Sequence, residues 1–315
     1  MRRAAALLVI PLLAVGAAAG CSSSPSSSSS ADATNNSVTA TGQFGAAPKV
    51  TIPAKKAGSG LVTKTLIEGS GPKMTTATTL EANFVLYDWS GTTHKLLGST
   101  FTQGGPTLFA GQMLPGLEKA VIGQKLGSRV LAVIPPKDAF GAQGNSQIGV
   151  KGTDTLVFVI DMDKLFVNTS GVSGTQATNG GGALPTVTAA ASGAPSVTIP
   201  AGNPPKALQV KPLITGTGPK VKSGQELLVQ YTGLNWRTKK VFDSSWKRKQ
   251  PYTTPIGVGQ VLPGWDKGLV GQTVGSRVLL VIPPAQGYGK TGSATAGIKG
   301  TDTLVFVVDI MAAVG

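Results

Sequence analysis

The chain repeats itself, and this constrains its fold more than any other feature. Residues 47–53 read APKVTIP and residues 194–200 read APSVTIP. The same offset carries 66–73, LIEGSGPK, onto 213–220, LITGTGPK. Three further pairs are offset by one residue more: 114–116 with 262–264, 127–130 with 275–278, and 151–159 with 299–307. The chain is therefore two copies of one structural unit, the second with one net extra residue in its middle.

The unit reads as mainly β. In the second copy, residues 226–231, 240–243, 277–282 and 303–310 are rich in Val, Leu and Ile and bounded by Gly or Pro, which predicts strands. Residues 264–271 are too few and too glycine-rich for a long helix. Trp265, Leu269 and Val270 recur there at a spacing that suits one or two helical turns lying on a sheet. Antiparallel strands with one short helix give an α+β class.

The N-terminal segment indicates the compartment. Arg2 and Arg3 precede an uncharged, mostly apolar run over 4–19, and small residues lead directly to Cys21. This pattern predicts a signal peptide over 1–20 and not a stable span, which takes ~20 apolar residues. The segment resembles a bacterial lipobox, with Ala18 where Leu is usual. That resemblance implies a diacylglyceryl group on Cys21. The protein is then exported and lipid-anchored to the outer face of the cytoplasmic membrane. A plain secretory signal cut near Ala19 or Gly20 is the alternative. Residues 21–46 are Ser-, Ala-, Thr- and Asn-rich and predict a flexible stalk; 167–193 predict a flexible linker between domains at 47–166 and 194–315.

Composition then removes several chemistries. Cys21 is the only cysteine and His94 the only histidine. Disulfides, thiolate catalysis, a His-based triad and a multi-His metal site are excluded. A net charge of +14 suits an anionic lipid or wall surface, and nucleic acid is not an expected partner outside the cytoplasm.

The second copy carries, in order, Tyr231-Thr232-Gly233, Phe242-Asp243, Arg248, Tyr252, Val261-Leu262-Pro263-Gly264-Trp265, Tyr288-Gly289, Ile298 and Phe306. This set resembles the FKBP family of peptidyl-prolyl isomerases from about residue 206 to 312. The resemblance implies two FKBP-like domains, each a curved antiparallel sheet wrapped on a short helix, with a proline pocket between sheet and helix. Trp265 is then the pocket floor, and Tyr231, Phe242, Tyr252, Val261, Leu262, Ile298 and Phe306 its walls. Leu262 N–H and the Tyr288 hydroxyl meet substrate carbonyls, and Asp243 faces the pocket, held by Tyr231 and Arg248. The implied substrates are Xaa-Pro segments of unfolded or exported chains, macrolide inhibitors of the tacrolimus type are implied ligands, and no cofactor or metal is called for. Tyr252 stands where Phe is commoner, Gln260 where Glu is commoner, and 297–300 replaces a more apolar loop.

The first copy keeps the frame and loses this set. Phe84 stands for Tyr231, Leu97-Gly98 for Phe242-Asp243, Leu117 for Trp265 and Phe140 for Tyr288. No acid lies between Asp88 and Glu118, and no Arg between Arg3 and Arg129. The first copy is therefore expected to be inactive, although Phe109, Met113, Leu114, Leu117 and Phe140 are placed to line an apolar groove. Two rival functions remain open on sequence: a holdase chaperone or partner-binding surface lipoprotein, favoured by the doubled domain and linker, and a purely structural spacer.

Overall fold

Each copy carries a short continuous apolar run, RVLAVI at 129–134 and RVLLVI at 277–282, which suits a strand covered on both faces. A computed structural model describes residues 30–111, 113–175, 182–188 and 193–315. The signal segment 1–20 and Cys21 lie outside the described residues.

In the first copy the elements are α1 (Ser30–Asn36), β1 (Thr39–Thr41), β2 (Lys49–Thr51), β3 (Val62–Ile67), β4 (Thr78–Ser90), β5 (Thr93–Ser99), β6 (Thr107–Phe109), α2 (Pro115–Val121), β7 (Arg129–Ile134) and β8 (Thr155–Val167). The second copy contains β9 (Thr186–Thr188), β10 (Ser196–Thr198), β11 (Gln209–Ile214), β12 (Glu226–Asn235), β13 (Val241–Ser244), α3 (Ser245–Arg248), β14 (Tyr252–Pro255), α4 (Pro263–Leu269), β15 (Arg277–Ile282) and β16 (Leu304–Val314). Each copy forms one antiparallel six-stranded sheet. The orders are β3-β7-β8-β4-β5 with β6 on β4, and β11-β15-β16-β12-β13 with β14 on β12. This is the predicted α+β class, with two FKBP-like domains.

Alternation along β15 explains its complete burial. Val278, Leu280 and Ile282 point to the cluster that holds Trp265 and Leu269 of α4. Leu279 and Val281 point the other way, onto Val187, Ile199, Leu213, Leu234 and Trp236. A Cβ on Gly264 or Gly268 would lie 2.5 or 2.6 Å from Ile282 or Leu280 side-chain atoms. The glycines of α4 therefore let the helix backbone rest directly on β15. Proline at its first turn starts the helix where no N–H bond is lost.

The outer face of each sheet is covered by a short hairpin, β1–β2 or β9–β10. This places the repeated 47–53 and 194–200 segments on the sheet and corrects two expectations. The stalk expected over 21–46 is packed in its described C-terminal part. Val38 is buried, and the Asn35 amide donates to Gly58 O and Gly60 O at 3.2 and 2.7 Å. Together with the β1–β2 ladder, these contacts fix a segment whose composition reads as flexible. The linker expected over 167–193 is likewise in part a packed strap. Gln230 Nε2 donates to Asn168 O at 2.6 Å, and Val172 N donates to Asp309 Oδ2 at 3.0 Å.

The two copies also share a core. Leu108 and Phe166 of the first pack with Leu228, Met311, Ala312 and Val314 of the second in one buried cluster. They are fused through apolar surface as well as through the chain.

Candidate active site

The site lies where β12, β13, β14 and β16 curve over the N-terminal end of α4. Tyr231, Phe242, Asp243, Tyr252, Gln260, Val261, Leu262, Pro263, Trp265, Tyr288 and Phe306 line a groove of about 460 Å³. Its base is a set of edge-to-face rings. Trp265 meets Tyr231 at 5.4 Å and Phe306 at 5.3 Å between centroids, and Phe242 meets Phe306 at 5.6 Å. Such perpendicular pairs direct ring edges at π faces and hold one another in place. Trp265, Phe306 and Tyr231 are buried, whereas Tyr252 and Tyr288 remain 40% and 39% exposed at the rim.

A single glycine makes the rings fit. A Cβ on Gly233 would lie 2.7 Å from Phe306 Cε1 and 2.9 Å from Phe242 Cζ. Below the rings, the Asp266 carboxylate accepts Gly257 N at 2.6 Å and Gly259 N at 2.9 Å. That clamp ties α4 to the loop that presents Val261 and Leu262.

The polar edge is a three-residue network. Tyr231 Oη donates to Asp243 Oδ2, Arg248 Nη1 pairs with Asp243 Oδ1, and Arg248 Nη2 donates to Tyr231 Oη at 2.9 Å. The guanidinium also lies 5.6 Å from the centre of the Tyr231 ring. Burial, then the bond to Asp243, pushes the Tyr231 phenol above its ordinary range; burial, then the Asp243 charge, pushes Tyr288 up as well. Both phenols therefore stay protonated and able to donate at neutral pH.

The structure thus brings together ten residues read from sequence: Tyr231, Phe242, Asp243, Arg248, Tyr252, Val261, Leu262, Trp265, Tyr288 and Phe306. It does not bring Ile298 to the groove surface. Ile298 is buried in the cluster behind Trp265, so it supports the wall without lining it. Gln260 and Pro263, named in the sequence without a pocket role, also line the groove.

Strand pairing settles the register of the first copy. Phe84 pairs with Ile160 as Tyr231 pairs with Val308, and Gly98 faces Leu86 as Asp243 faces Gly233. Leu97-Gly98 is the counterpart of Phe242-Asp243, as read. Leu86 has taken the place of Gly233, and its buried side chain joins Leu117 and Phe158 in the core. The first copy thus carries a buried leucine where the second carries a glycine beneath its rings, while Phe84, Leu97, Phe109, Met113, Leu114 and Phe140 remain only partly buried.

The family model described as FKBP-type peptidyl-prolyl cis-trans isomerase matches residues 75–163 and 218–311, one stretch in each copy. The chain belongs to this family of peptidyl-prolyl isomerases. An FK506-binding protein of Streptomyces anulatus is 41% identical over 118 residues, covering 38% of this chain and 95% of its own length. FK506-binding protein 2B of Rhizopus delemar is 47% identical over 92 residues, 29% of this chain and 44% of that protein. Peptidyl-prolyl cis-trans isomerase FKBP9 of Rattus norvegicus is 27% identical over 241 residues, 73% of this chain but 35% of that longer protein.

A groove of this kind can catalyse rotation without a nucleophile. The barrier of ~18–20 kcal/mol reflects amide resonance. Twisting the bond removes that resonance and makes the carbonyl less polar. Aromatic walls that exclude water therefore disfavour the planar ground state more than the twisted transition state.

Proposed function

We propose that the C-terminal copy is the active isomerase, that the N-terminal copy is inactive, and that the protein acts on exported polypeptides outside the cytoplasmic membrane. The observation that carries the first part is the exchange of Gly233 for Leu86 between two copies of one fold. A ringed groove with Asp243, Arg248 and Tyr231 at its edge stands in one copy, and Phe84, Leu97, Gly98 and Leu117 stand at the matching positions of the other. Substrate Xaa-Pro segments enter beside Trp265, and macrolides related to FK506 compete for the same rings. Tyr288 and the Leu262 N–H hold the carbonyls that flank the proline. The rival reading as a holdase with two independent arms loses its support from a flexible linker, because the copies share a buried cluster.

The test is prolyl cis/trans exchange on an Xaa-Pro peptide by NMR with the full chain, since uncatalysed exchange takes about 10–100 s. Trp265→Leu, the residue of the first copy, is expected to remove most of the catalysis, and Phe84→Leu in the first copy to leave it intact. The reverse pattern would assign activity to the N-terminal copy.

Localisation rests on Arg2, Arg3, the apolar run and Cys21. Mass analysis of the N-terminal peptide from membrane-extracted protein is expected to find a diacylglyceryl adduct on Cys21. An unmodified chain starting near Ala19 or Gly20 rejects the anchor.

A further inference from the structure

The two copies solve one local problem differently, and the difference lies next to the groove. Asn83 and Gln230 occupy the same position in β4 and β12, opposite Asp161 and Asp309. Each sits on a side-chain relay into its own sheet. In the first copy Phe84 N donates to Thr100 Oγ1 at 2.8 Å, and Thr100 Oγ1 donates to Asn83 Oδ1 at 2.9 Å. In the second, Tyr231 N donates to Ser245 Oγ at 2.8 Å, and Ser245 Oγ donates to Gln230 Oε1 at 2.5 Å.

The relays end in different places. Asn83 Nδ2 donates to Asp163 Oδ2 at 2.9 Å, within its own copy. Asp163 is the bulged residue of β8, beside the register shift at Glu81/Ala82. The bulged residue of β16 at the matching shift is Met311, which offers no carboxylate and is buried in the cluster shared by the copies. The Gln230 amide instead reaches out of its domain, to Asn168 O at 2.6 Å and Ser170 O at 3.5 Å. Gln is one methylene longer than Asn, which suits that reach.

The strap is seated on the same side of the site. A Cβ on Gly171 would lie 2.1 Å from Asp309 Oδ2 and 2.6 Å from Trp246 Cη2, so only a glycine lets the strap pack between the buried Asp309 and α3. That helix begins at Ser245 and ends at Arg248, the residue that holds Asp243 and Tyr231. Every link from the Asn168 carbonyl to the groove edge is thus a hydrogen bond or a packed contact. A buried amide with both ends satisfied has one orientation, and it fixes Ser245 and the Tyr231 backbone with it.

We propose that Gln230 is a positioning residue of the isomerase site, and that the strap 168–172, supplied by the joining segment, completes that site. The inactive copy and its strap then act as a structural part of the enzyme and not as a spacer. This rests on the C-terminal copy being the active one.

The experiment uses the full chain and the Xaa-Pro exchange assay. Gln230→Asn takes the amide out of reach of the strap and is expected to lower kcat/KM roughly tenfold or more, because small displacements of positioned groups cost catalysis steeply. Adding Met311→Asp rebuilds the Asn–Asp pair of the first copy and is expected to restore the rate. A merely structural role predicts the opposite, because the second change places a carboxylate in the shared apolar cluster. Should Gln230→Asn fail to fold, Gly171→Ala probes the relay from the strap side and is expected to cost a similar factor. A folded Gln230→Asn or Gly171→Ala chain with the wild-type rate overturns the proposal, as does a double variant slower than the single one. Trp265→Leu separates the two readings. If it too keeps the wild-type rate, the location of the activity is wrong and this proposal falls with it; if it is inactive while the relay variants are not, the relay alone is wrong.

Discussion

A single methyl group placed on Gly233 is expected to silence the isomerase. Gly233→Ala puts a Cβ 2.7 Å from Phe306 Cε1 and 2.9 Å from Phe242 Cζ, closer than carbon atoms approach without displacement. Both rings are already fixed by ring–ring contacts on the side away from the groove. Phe306 is held edge-to-face against Trp265, and Phe242 stands at 90° to Phe306. The rings must therefore move into the groove. Overpacking of this kind costs about 1–3 kcal/mol of stability. The effect on kcat/KM is expected to be larger, on the order of 100-fold, because the proline must sit within tenths of an ångström of the walls. Folding and activity are separated by recording the thermal midpoint beside the exchange rate. The converse change, Leu86→Gly in the first copy, is expected to open a cavity without producing catalysis, since Phe84, Gly98 and Leu117 stand there for Tyr231, Asp243 and Trp265, and no arginine stands for Arg248. A fully active Gly233→Ala chain would show that the open groove is not where the Xaa-Pro bond turns.

How much of this was legible in sequence depended on whether the signal was periodic, local or relational. The run 277–282 is all apolar after its arginine and became β15 without a residue's error. The strand read at 226–231 extends to Asn235, because Thr232, Gly233 and Asn235 carry little apolar signal although all are covered. Both β11 and β14 were missed. Pro212 and Pro255 interrupt them, and proline argues against a strand unless the strand lies at an edge or irregularity. Here β11 ends the sheet order, with its register shift at Pro212/Ile214, and β14 lies off the main path. The groove residues were legible because their order matched a known family. The role of Gly233 was not, because a lone glycine in a strand reads as flexibility until the rings beside it are placed. Gln230 was illegible for a deeper reason. Its amide nitrogen meets main-chain carbonyls of a polar linker, and no side-chain pattern announces a carbonyl.

Arg277→Met is expected to produce the largest loss of stability. The guanidinium and the Asp309 carboxylate are essentially without solvent exposure, joined Nε to Oδ1 at 2.6 Å and Nη2 to Oδ2 at 2.7 Å. Arg129 and Asp161 repeat the pair in the first copy at 2.6 and 2.7 Å. Removing one partner strands a buried charge and costs about 3–5 kcal/mol, a large part of the ~5–15 kcal/mol by which domains are stable. The midpoint for the C-terminal copy is expected to fall by roughly 10–20 °C or more. The sign of the pH dependence follows from the stranded acid. In the variant, burial raises the folded pKa of Asp309 above the unfolded value of about 3.9. The penalty is then small near pH 3 and grows as pH rises through the unfolded value, until the raised folded pKa is passed. Arg277→Met/Asp309→Leu is expected to recover most of the loss, because well-packed apolar pairs replace buried ion pairs at little cost. Equal midpoints for the single variant and the parent at pH 7 would defeat this account, as would a double variant no better than the single. The pair also fastens both ends of the joining segment, through Val172 N on Asp309 Oδ2 at 3.0 Å and Arg277 Nη2 on Gly193 O at 3.1 Å. The double variant therefore separates stability from positioning: it is expected to fold yet isomerise more slowly, because the strap that holds Gln230 has lost its anchor at Val172.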